Sequence, residues 1–218
     1  MARTQAERSA TTQQALLTAA RRLWGERGYA AVSTPEIAQA AGVTRGAMYH
    51  QYPDKAKLFF AVIEAVEKDV IERLAAAVAA KQPKTPAAAL RMAADAWLDI
   101  ASEPEVRQLV LLDAPSILGW AGFREVSLRY GLGMTEQLLT AAIDAGELKP
   151  QPTRPLATVM IGALDEAAMS IANAEDREHE KADVRRVIHS LIDGLLNQSR
   201  RPASRKRSSR LLQGGRGG

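Results

Sequence analysis

The 218-residue sequence contains no cysteine, only three histidines and 5% aromatic residues. Without thiols the chain cannot form a disulfide scaffold, a thiolate zinc site, an iron–sulfur cluster or a cysteine nucleophile. The P-loop, G-x-G-x-x-G, H-E-x-x-H and G-x-S-x-G motifs of nucleotide-binding and hydrolytic enzymes are also missing. We therefore expect no enzyme, no metal site and no cofactor.

Long hydrophobic runs are absent as well. Uncharged apolar stretches such as 114–123 and 155–164 run 10 residues each, whereas a membrane-spanning helix needs roughly 18 or more. The first eight residues have no apolar core before their charges, which is not typical of a signal peptide. We expect a cytoplasmic protein with no membrane partner.

Charge is distributed unevenly along the chain. Residues 1–60 carry 8 Lys or Arg and 4 Asp or Glu, residues 61–199 carry 14 and 21, and residues 200–218 carry 7 and none. The two ends are thus positive and the middle is negative. This indicates contact with a polyanion at the ends and another role for the middle, although a chance fluctuation would also explain the N-terminal excess.

The sequence predicts an all-α protein of about nine helices, because it lacks sustained alternation and is rich in Ala, Leu, Glu, Arg and Gln. In the first helix an apolar stripe recurs at helical spacing from Leu16 to Trp24, with Thr11 and Gln14 as a capping box and Gly28 at the end. The predicted helices span about 12–27, 34–41, 44–49, 54–81, 85–102, 103–113, 119–145, 156–174 and 181–198.

The second and third helices have the pattern of a helix-turn-helix. Ala38 is small enough for a helix crossing, Gly42 suits the turn, and Met48 can anchor the second helix in the core. Ile37 and Val43 extend the same buried side. The pattern predicts a DNA-binding domain at residues 1–55, with a recognition helix at about 44–49.

The other side of this motif has the chemistry for DNA. Gly46 and Ala47 would let the helix enter the major groove closely, and Arg45 can reach guanine O6 and N7. Hydroxyl, phenol, imidazole and ammonium groups can bind phosphate oxygens, helped by two helix N-termini. These latter groups belong to Thr34, Thr44, Tyr49, His50 and Lys55.

Residues 15–60 resemble the DNA-binding domain of the TetR family of bacterial transcriptional regulators. The similarity lies in residues 19–29, 33–38 and 41–55, followed by Leu58 and Phe59. Two departures are Tyr52, where phenylalanine is more usual, and Pro35 within the second helix. Tyr52 keeps the packing role, and a proline is tolerated in a first helical turn.

The resemblance implies a two-domain helical protein that dimerises through its last two helices and leaves its operator when a ligand enters the C-terminal domain. It also implies that the fourth helix links the two domains. The family's DNA-contacting roles fall on the residues already selected by their chemistry, namely Thr34, Thr44, Arg45, Tyr49, His50 and Lys55.

Residues 56–199 are predicted to form a C-terminal ligand-binding and dimerisation domain. Large or adaptable apolar groups make candidate ligand contacts, with plain core packing as the alternative for each. They are Trp97, Leu111, Trp120, Phe123, Tyr130, Met134, Met160 and Met169. The acidic pair Asp165–Glu166 interrupts an apolar helix, so one carboxylate is predicted either to select a cationic or hydrogen-bond-donating ligand or to pair with Arg124 or Arg129.

The last two predicted helices carry apolar stripes wide enough for both the core and a two-fold partner, as in a four-helix bundle. The candidate interface residues are Leu164, Ala167, Ala168, Ile171, Val184, Val187, Ile188, Leu191, Ile192 and Leu195. His189 in this pattern is expected to be an interface histidine rather than a metal ligand. Residues 200–218 are predicted to be a disordered basic tail that either solubilises the protein or adds salt-dependent attraction to DNA.

These features together predict a homodimeric repressor that binds a palindromic operator and is released by a small-molecule effector. The alternative is a ligand-independent architectural or partner-binding factor that uses the same helix-turn-helix. An apolar cavity in the C-terminal half would favour the first, and a fully packed interior would favour the second.

Overall fold

The computed structural model describes residues 4–197, and this part of the chain is helical without strands. It contains eight helices of at least seven residues, one short helical turn and one π-helical segment. They are α1 (Gln5–Arg27), α2 (Thr34–Ala40), α3 (Arg45–Gln51), α4 (Lys55–Ala80), α5 (Pro86–Ala101), the turn α6 (Pro104–Val106), the π-helical segment (Arg107–Asp113), α7 (Ala114–Asp144), α8 (Thr153–Asn173) and α9 (Arg177–Asn197). The predicted fold class is confirmed.

The first helix begins earlier than predicted. Thr4 caps it, because its side chain accepts a hydrogen bond from Glu7 N at 3.2 Å while Thr4 N donates to the Glu7 carboxylate at 2.7 Å. The prediction that Thr11 and Gln14 form the cap was wrong, because the true capping box lies in a polar segment that precedes the apolar stripe. Thr11 instead donates its hydroxyl to Glu7 O within the helix.

One continuous core runs from the N-terminal helices into the rest of the chain. Trp24, Ile37, Met48 and Phe59 belong to the same buried cluster as residues of α5, the π-helical segment, α7 and α8. A second, smaller core lies among α5, α7, α8 and α9. The long α4 is buried along most of its length and connects the N-terminal helices to this body.

Two irregular features lie at the start of the long α7, one just before it and one within it. Residues 107–113 form a π-helical segment. Gly119 then has φ 69° and ψ 165°, which breaks the helix after its first turn. This backbone region is accessible almost only to glycine. The break lies where the sequence predicted a helix start.

By length and composition, one helix within residues 4–197 is apolar enough to cross a membrane, and it is α8. The sequence led us to expect no such helix. In the folded chain α8 packs against α7 and α9 and contains the buried, ion-paired Asp165, as the core helix of a helical domain does. The predicted basic tail at residues 200–218 lies outside the described residues.

Candidate functional site

Short capped helices build the α2–α3 motif. Ser33 and Glu36 form a capping box at the start of α2, and the Thr44 hydroxyl accepts a hydrogen bond from Ala47 N at 3.1 Å at the start of α3. Between the two helices Gly42 adopts φ 68°, a left-handed conformation that only glycine adopts without cost. The sequence therefore enforces a sharp turn that sets α3 against α2.

The inner side of the motif is fully packed. Ile37, Ala38 and Met48 are buried and join the core that includes Leu16 and Trp24 of α1. This anchoring fixes α3 on the surface of the N-terminal helices. Its opposite side consequently faces solvent.

That outer side carries the predicted contact residues. Thr44, Arg45, Gly46 and His50 are exposed, and Ala47 is half-buried. A Cβ added to Gly46 would meet only the Thr44 hydroxyl, at 4.0 Å. The fold therefore has room for a side chain at position 46. Packing within the chain does not require glycine there.

A polar cluster forms where α2 and α3 approach each other. The hydroxyls of Thr34 and Tyr49 are hydrogen-bonded at 3.1 Å, and the Arg45 guanidinium lies 5.6 Å from the centre of the Tyr49 ring. The Thr34 contact, followed by that of Arg45, lowers the pKa of Tyr49 below its usual value. Hydroxyl, phenol and guanidinium are thus gathered on one exposed patch, suited to phosphate and base edges.

Lys55 is placed differently from a free surface cation. Its ammonium donates a hydrogen bond to Tyr29 O at 2.6 Å and lies 4.0 Å from the centre of the Tyr29 ring. Burial lowers its pKa, partly offset by the charges of Asp113 and Glu36. Lys55 therefore ties the start of α4 to the segment after α1, and it borders the same groove as Thr34 and Tyr49.

A second site lies in the body of the protein. A cavity of about 80 Å³ opens between α4, α5, α7 and α8, where the two hydrophobic cores meet. Its walls are mainly apolar, as is common in small-molecule sites. The lining residues are Glu67, Val70, Ile71, Leu74, Leu90, Ala93, Ala94, Trp97, Ser127, Gly131, Met134, Thr135, Leu138, Met160, Ile161, Leu164 and Asp165.

Asp165 is a buried carboxylate with partners. It accepts hydrogen bonds from the Arg124 guanidinium at 2.9 Å and from the Ser127 hydroxyl at 2.7 Å. Burial nevertheless raises its pKa to about 6, against the opposing effects of Ser127 and Arg124. The predicted ion pair with Arg124 is present, and the same carboxylate also borders the cavity.

Glu67 on α4 is a buried carboxyl without such partners. Its side chain borders the cavity, the residue is only 6% exposed, and it forms no hydrogen bond or ion pair within residues 4–197. Burial, and secondarily the negative charge of Asp165, raises the pKa of Glu67 to about 8. The group is therefore mostly protonated at neutral pH and open to a ligand in the cavity.

Both parts of the chain match models of one protein family. Residues 16–62 match the family described as bacterial regulatory proteins of the tetR family, and residues 87–195 match the tetracyclin repressor-like C-terminal domain. The crystal structure of a TetR-family transcriptional regulator from Pectobacterium atrosepticum is 34% identical, covers 89% of this chain and 98% of that chain, and superposes with a TM-score of 0.79. The chain belongs to the TetR family.

Other relatives agree with this assignment. The Transposon Tn10 TetC protein of Escherichia coli is 28% identical over 178 residues, which is 81% of this chain and 88% of that protein. The fold is also that of RolR, solved in complex with resorcinol, at 20% identity, a TM-score of 0.67 and coverage of 91% and 97% of the two chains. As a TetR-family member the chain is a helix-turn-helix DNA-binding transcriptional regulator, which confirms the expectation that it is not an enzyme.

Only some of the residues predicted to contact a ligand in this TetR-family chain line the cavity. Trp97, Met134, Met160 and Asp165 line the cavity, and Glu67 was not predicted. The other candidates do not line the cavity. Leu111 and Phe123 are buried in the core, Tyr130 and Met169 are half-buried against it, Glu166 is exposed, and Trp120 is 63% exposed.

The predicted interface stripes are mostly used within the protomer. Ala168, Ile171, Ile188 and Ile192 are buried in its own cores, because α8 and α9 pack their apolar sides inward. Leu164, Val184 and Leu195 are half-buried. His189 forms a 2.9 Å contact with Asp95 in the same chain.

A different apolar surface remains free on these two helices. Val159 of α8 is 69% exposed, and Val187 and Leu191 of α9 are 58% and 55% exposed. Val187 and Leu191 were in the predicted interface, and Val159 was not. The sequence did contain a signal for Val159. The apolar residues on α8 are more numerous than one buried face of a helix can accommodate.

Proposed function

We propose that the protein is a homodimeric repressor that binds a palindromic operator and is released by a small-molecule effector. The observation that carries this proposal is the pairing of an exposed recognition surface on α3 with an apolar cavity bordered by α4, the helix that begins beside that surface. As a regulator of a bacterial chromosome, it would act in the cytoplasm.

DNA recognition follows from the geometry of α3. Arg45 is exposed in the first turn of α3 and can form paired hydrogen bonds to guanine. Exposed Thr44 and His50, together with the Thr34–Tyr49 pair, can contact the phosphates on either side. Lys55 would strengthen this surface mainly by positioning the start of α4, because its ammonium is already occupied by Tyr29.

Dimerisation is supported by the apolar surface on α8 and α9. Val159, Val187 and Leu191 stand on neighbouring helices, and clusters of exposed apolar groups of this kind mark protein interfaces. A two-fold contact between these helices would form a four-helix bundle. It would also hold two recognition helices at the spacing required by successive major grooves.

Release is proposed to act through α4. Its N-terminal residue Lys55 contacts Tyr29, while Glu67, Val70 and Leu74 border the cavity further along the helix. Asp69 of the same helix accepts a hydrogen bond from Arg21 of α1 at 3.1 Å. A ligand that displaces α4 would therefore move the N-terminal helices and change the separation of the two recognition helices.

The experiment is selection of binding sites from random duplexes by the purified protein, followed by footprinting. The proposal predicts an inverted repeat whose half-sites lie roughly 34–36 Å apart or somewhat more along the helix axis. Enrichment of single half-sites, or of no sequence at all, would contradict it. The alternative, a ligand-independent architectural factor, is less well supported. Its function would not require an apolar cavity bordered by an unpaired carboxyl group.

A further inference from the structure

The cavity carries an electrostatic imbalance. Two carboxyl groups, Glu67 and Asp165, border it, and none of the lining residues is Lys, Arg or His. Arg124 reaches the Asp165 carboxylate at 2.9 Å and compensates that charge. Glu67 has no corresponding partner among the described residues.

A buried carboxyl of this kind is costly to the fold. Placed in apolar surroundings it loses the hydrogen bonds that water would supply, and in its charged form it also loses solvation. The neighbouring positions Ile63, Val66 and Val70 of α4 are all buried and apolar. An apolar residue at position 67 would complete this core face, so packing within the chain gives no reason for a glutamate.

We propose that the cavity binds a compact apolar ammonium cation whose N–H groups donate hydrogen bonds to the Glu67 carboxylate. This inference rests on the proposed ligand-responsive function and specifies the class of effector. The apolar part of the ligand would lie against Trp97, Met134 and Met160. The aromatic ring adds attraction for a cation, and the methionines can adapt to its shape.

Other ligand classes fit the cavity less well. An anion would lie beside the carboxyl groups of Glu67 and Asp165, and no lining Lys, Arg or His would compensate for its charge. A neutral alcohol could accept a hydrogen bond from protonated Glu67 but could form no ion pair with it. An ammonium group can pair with the ionised Glu67 carboxylate, and the cavity then stays neutral because Asp165 is already paired with Arg124.

Binding has a defined proton balance. When Glu67 is protonated, the incoming ammonium forms its ion pair only after the carboxyl releases one proton to solvent. The ionisable groups that face Glu67 are Asp165 of α8 with its partner Arg124, and Tyr130 of α7, whose pKa is raised by burial and then by the charge of Glu64. Amine affinity should therefore rise with pH until Glu67 is fully ionised.

The test uses three small probes with one skeleton, namely isobutylamine, isobutanol and isobutyrate. Each is titrated into the full-length DNA-free protein by calorimetry between pH 6.5 and 8.5. The amine is expected to bind most tightly, with an affinity that rises roughly eightfold from pH 6.5 to 7.5, as a pKa of about 8 for Glu67 requires. The alcohol should change little over this range.

Two variants identify the group responsible. Glu67→Gln and Glu67→Met should each reduce amine affinity at least tenfold and abolish its pH dependence, while the alcohol, which forms no ion pair with Glu67, loses much less affinity. If the Glu67→Gln protein does not fold, the Glu67→Met protein is used for the same measurement. Folding is checked by the melting temperature of each protein.

Several results would overturn the inference. They are binding of the alcohol or the anion at least as tight as that of the amine, amine binding that is independent of pH or of Glu67, and failure of all three probes at millimolar concentration. Operator binding is measured on the same preparations. A protein that binds its operator but ignores the amine would refute this inference and leave the proposed DNA-binding function standing.

Discussion

Glycine in the first turn of α3 lowers helix stability, since glycine is less favourable than alanine inside a helix by about 0.5–1 kcal/mol. At Gly46 the fold has space for a Cβ, whose only near neighbour would be the Thr44 hydroxyl. The physical reason for glycine must therefore lie outside the protomer. Close approach of the helix backbone to DNA supplies one.

Gly46→Ala is accordingly expected to raise the free energy of unfolding by about 0.5–1 kcal/mol and to weaken operator binding several-fold. Urea unfolding and a fluorescence-anisotropy titration measure the two effects. Gly133→Ala on α7, where an added Cβ also meets open space, serves as the control that stabilises the fold without touching DNA. Operator binding by Gly46→Ala equal to that of the wild type would show that no close approach occurs.

Glu67 makes stability depend on pH. Its pKa is about 8 in the folded chain, against an ordinary value of 4.5, so the folded state keeps a proton that the unfolded state releases. The stabilisation is complete below pH 4.5 and is lost as pH rises through 8. Asp165 contributes in the same direction at lower pH, since its folded-state pKa is about 6.

The wild type should therefore be less stable at pH 8.5 than at pH 6.5, and Glu67→Gln should lose most of this difference. Denaturant unfolding at both pH values, without ligand, measures the effect. Asp165→Asn is the matched variant, because its group titrates mainly below this window. Equal pH dependence in the wild type and Glu67→Gln would show that Glu67 is already ionised in the folded chain.

At the scale of the helices, apolar spacing and capping residues predicted the existence and order of the elements. The start of α1 was missed because Thr4 and Glu7 cap a polar stretch that has no apolar stripe to reveal it. The cavity was predicted only in part. Trp97 and Met134 line it, but Trp120, directly after the break at Gly119, is exposed. Which side of a helix faces a cavity depends on how the helices pack, and local spacing does not give this.

Glu67 could have been found from the sequence. It lies in the α4 stripe between Ile63 and Val70, and every other buried residue of this helix is apolar. A charged residue at a core position is a signal for a partner or a function. Its lack of a partner, however, depends on the three-dimensional arrangement of α5, α7 and α8, which spacing along one helix does not give.

The break in α7 provides a test at the level of this element. Gly119 has φ 69° and ψ 165°, so Gly119→Ala should lower the free energy of unfolding by about 1–3 kcal/mol even though a Cβ would meet nothing within 4 Å. Gly133→Ala, in regular helix of the same element, should instead stabilise it. Both are measured by urea unfolding, and an unchanged or more stable Gly119→Ala would mean that the helix runs through this point in solution.

At the scale of the whole molecule, α4 joins the two sites. Arg21 of α1 donates two hydrogen bonds to Glu105, at 2.9 and 2.7 Å, and one to Asp69 of α4. Asp69 lies two positions from Glu67, so a displacement of α4 at the cavity would also act on this network. The N-terminal helices and the body are therefore joined by these side-chain contacts as well as by their shared hydrophobic core.

We expect the protein to dimerise through the exposed apolar surface of α8 and α9. Leu191→Lys places a charge in the proposed interface and should convert the dimer to a monomer at micromolar concentration, because a desolvated unpaired charge is strongly unfavourable there. Sedimentation equilibrium measures the mass. Leu191→Met keeps the position apolar and should remain dimeric. A dimer that survives Leu191→Lys would place the interface on another surface.

The most direct measurement is the ratio of affinities for the selected operator and an unrelated duplex, determined for the wild type and Arg45→Ala at one salt concentration. The account predicts that Arg45→Ala loses about 1–3 kcal/mol on the operator and much less on the unrelated duplex, so that sequence preference falls. An equal loss on both duplexes would contradict it. In that case Arg45 would contribute only charge, and α3 would not be reading base edges.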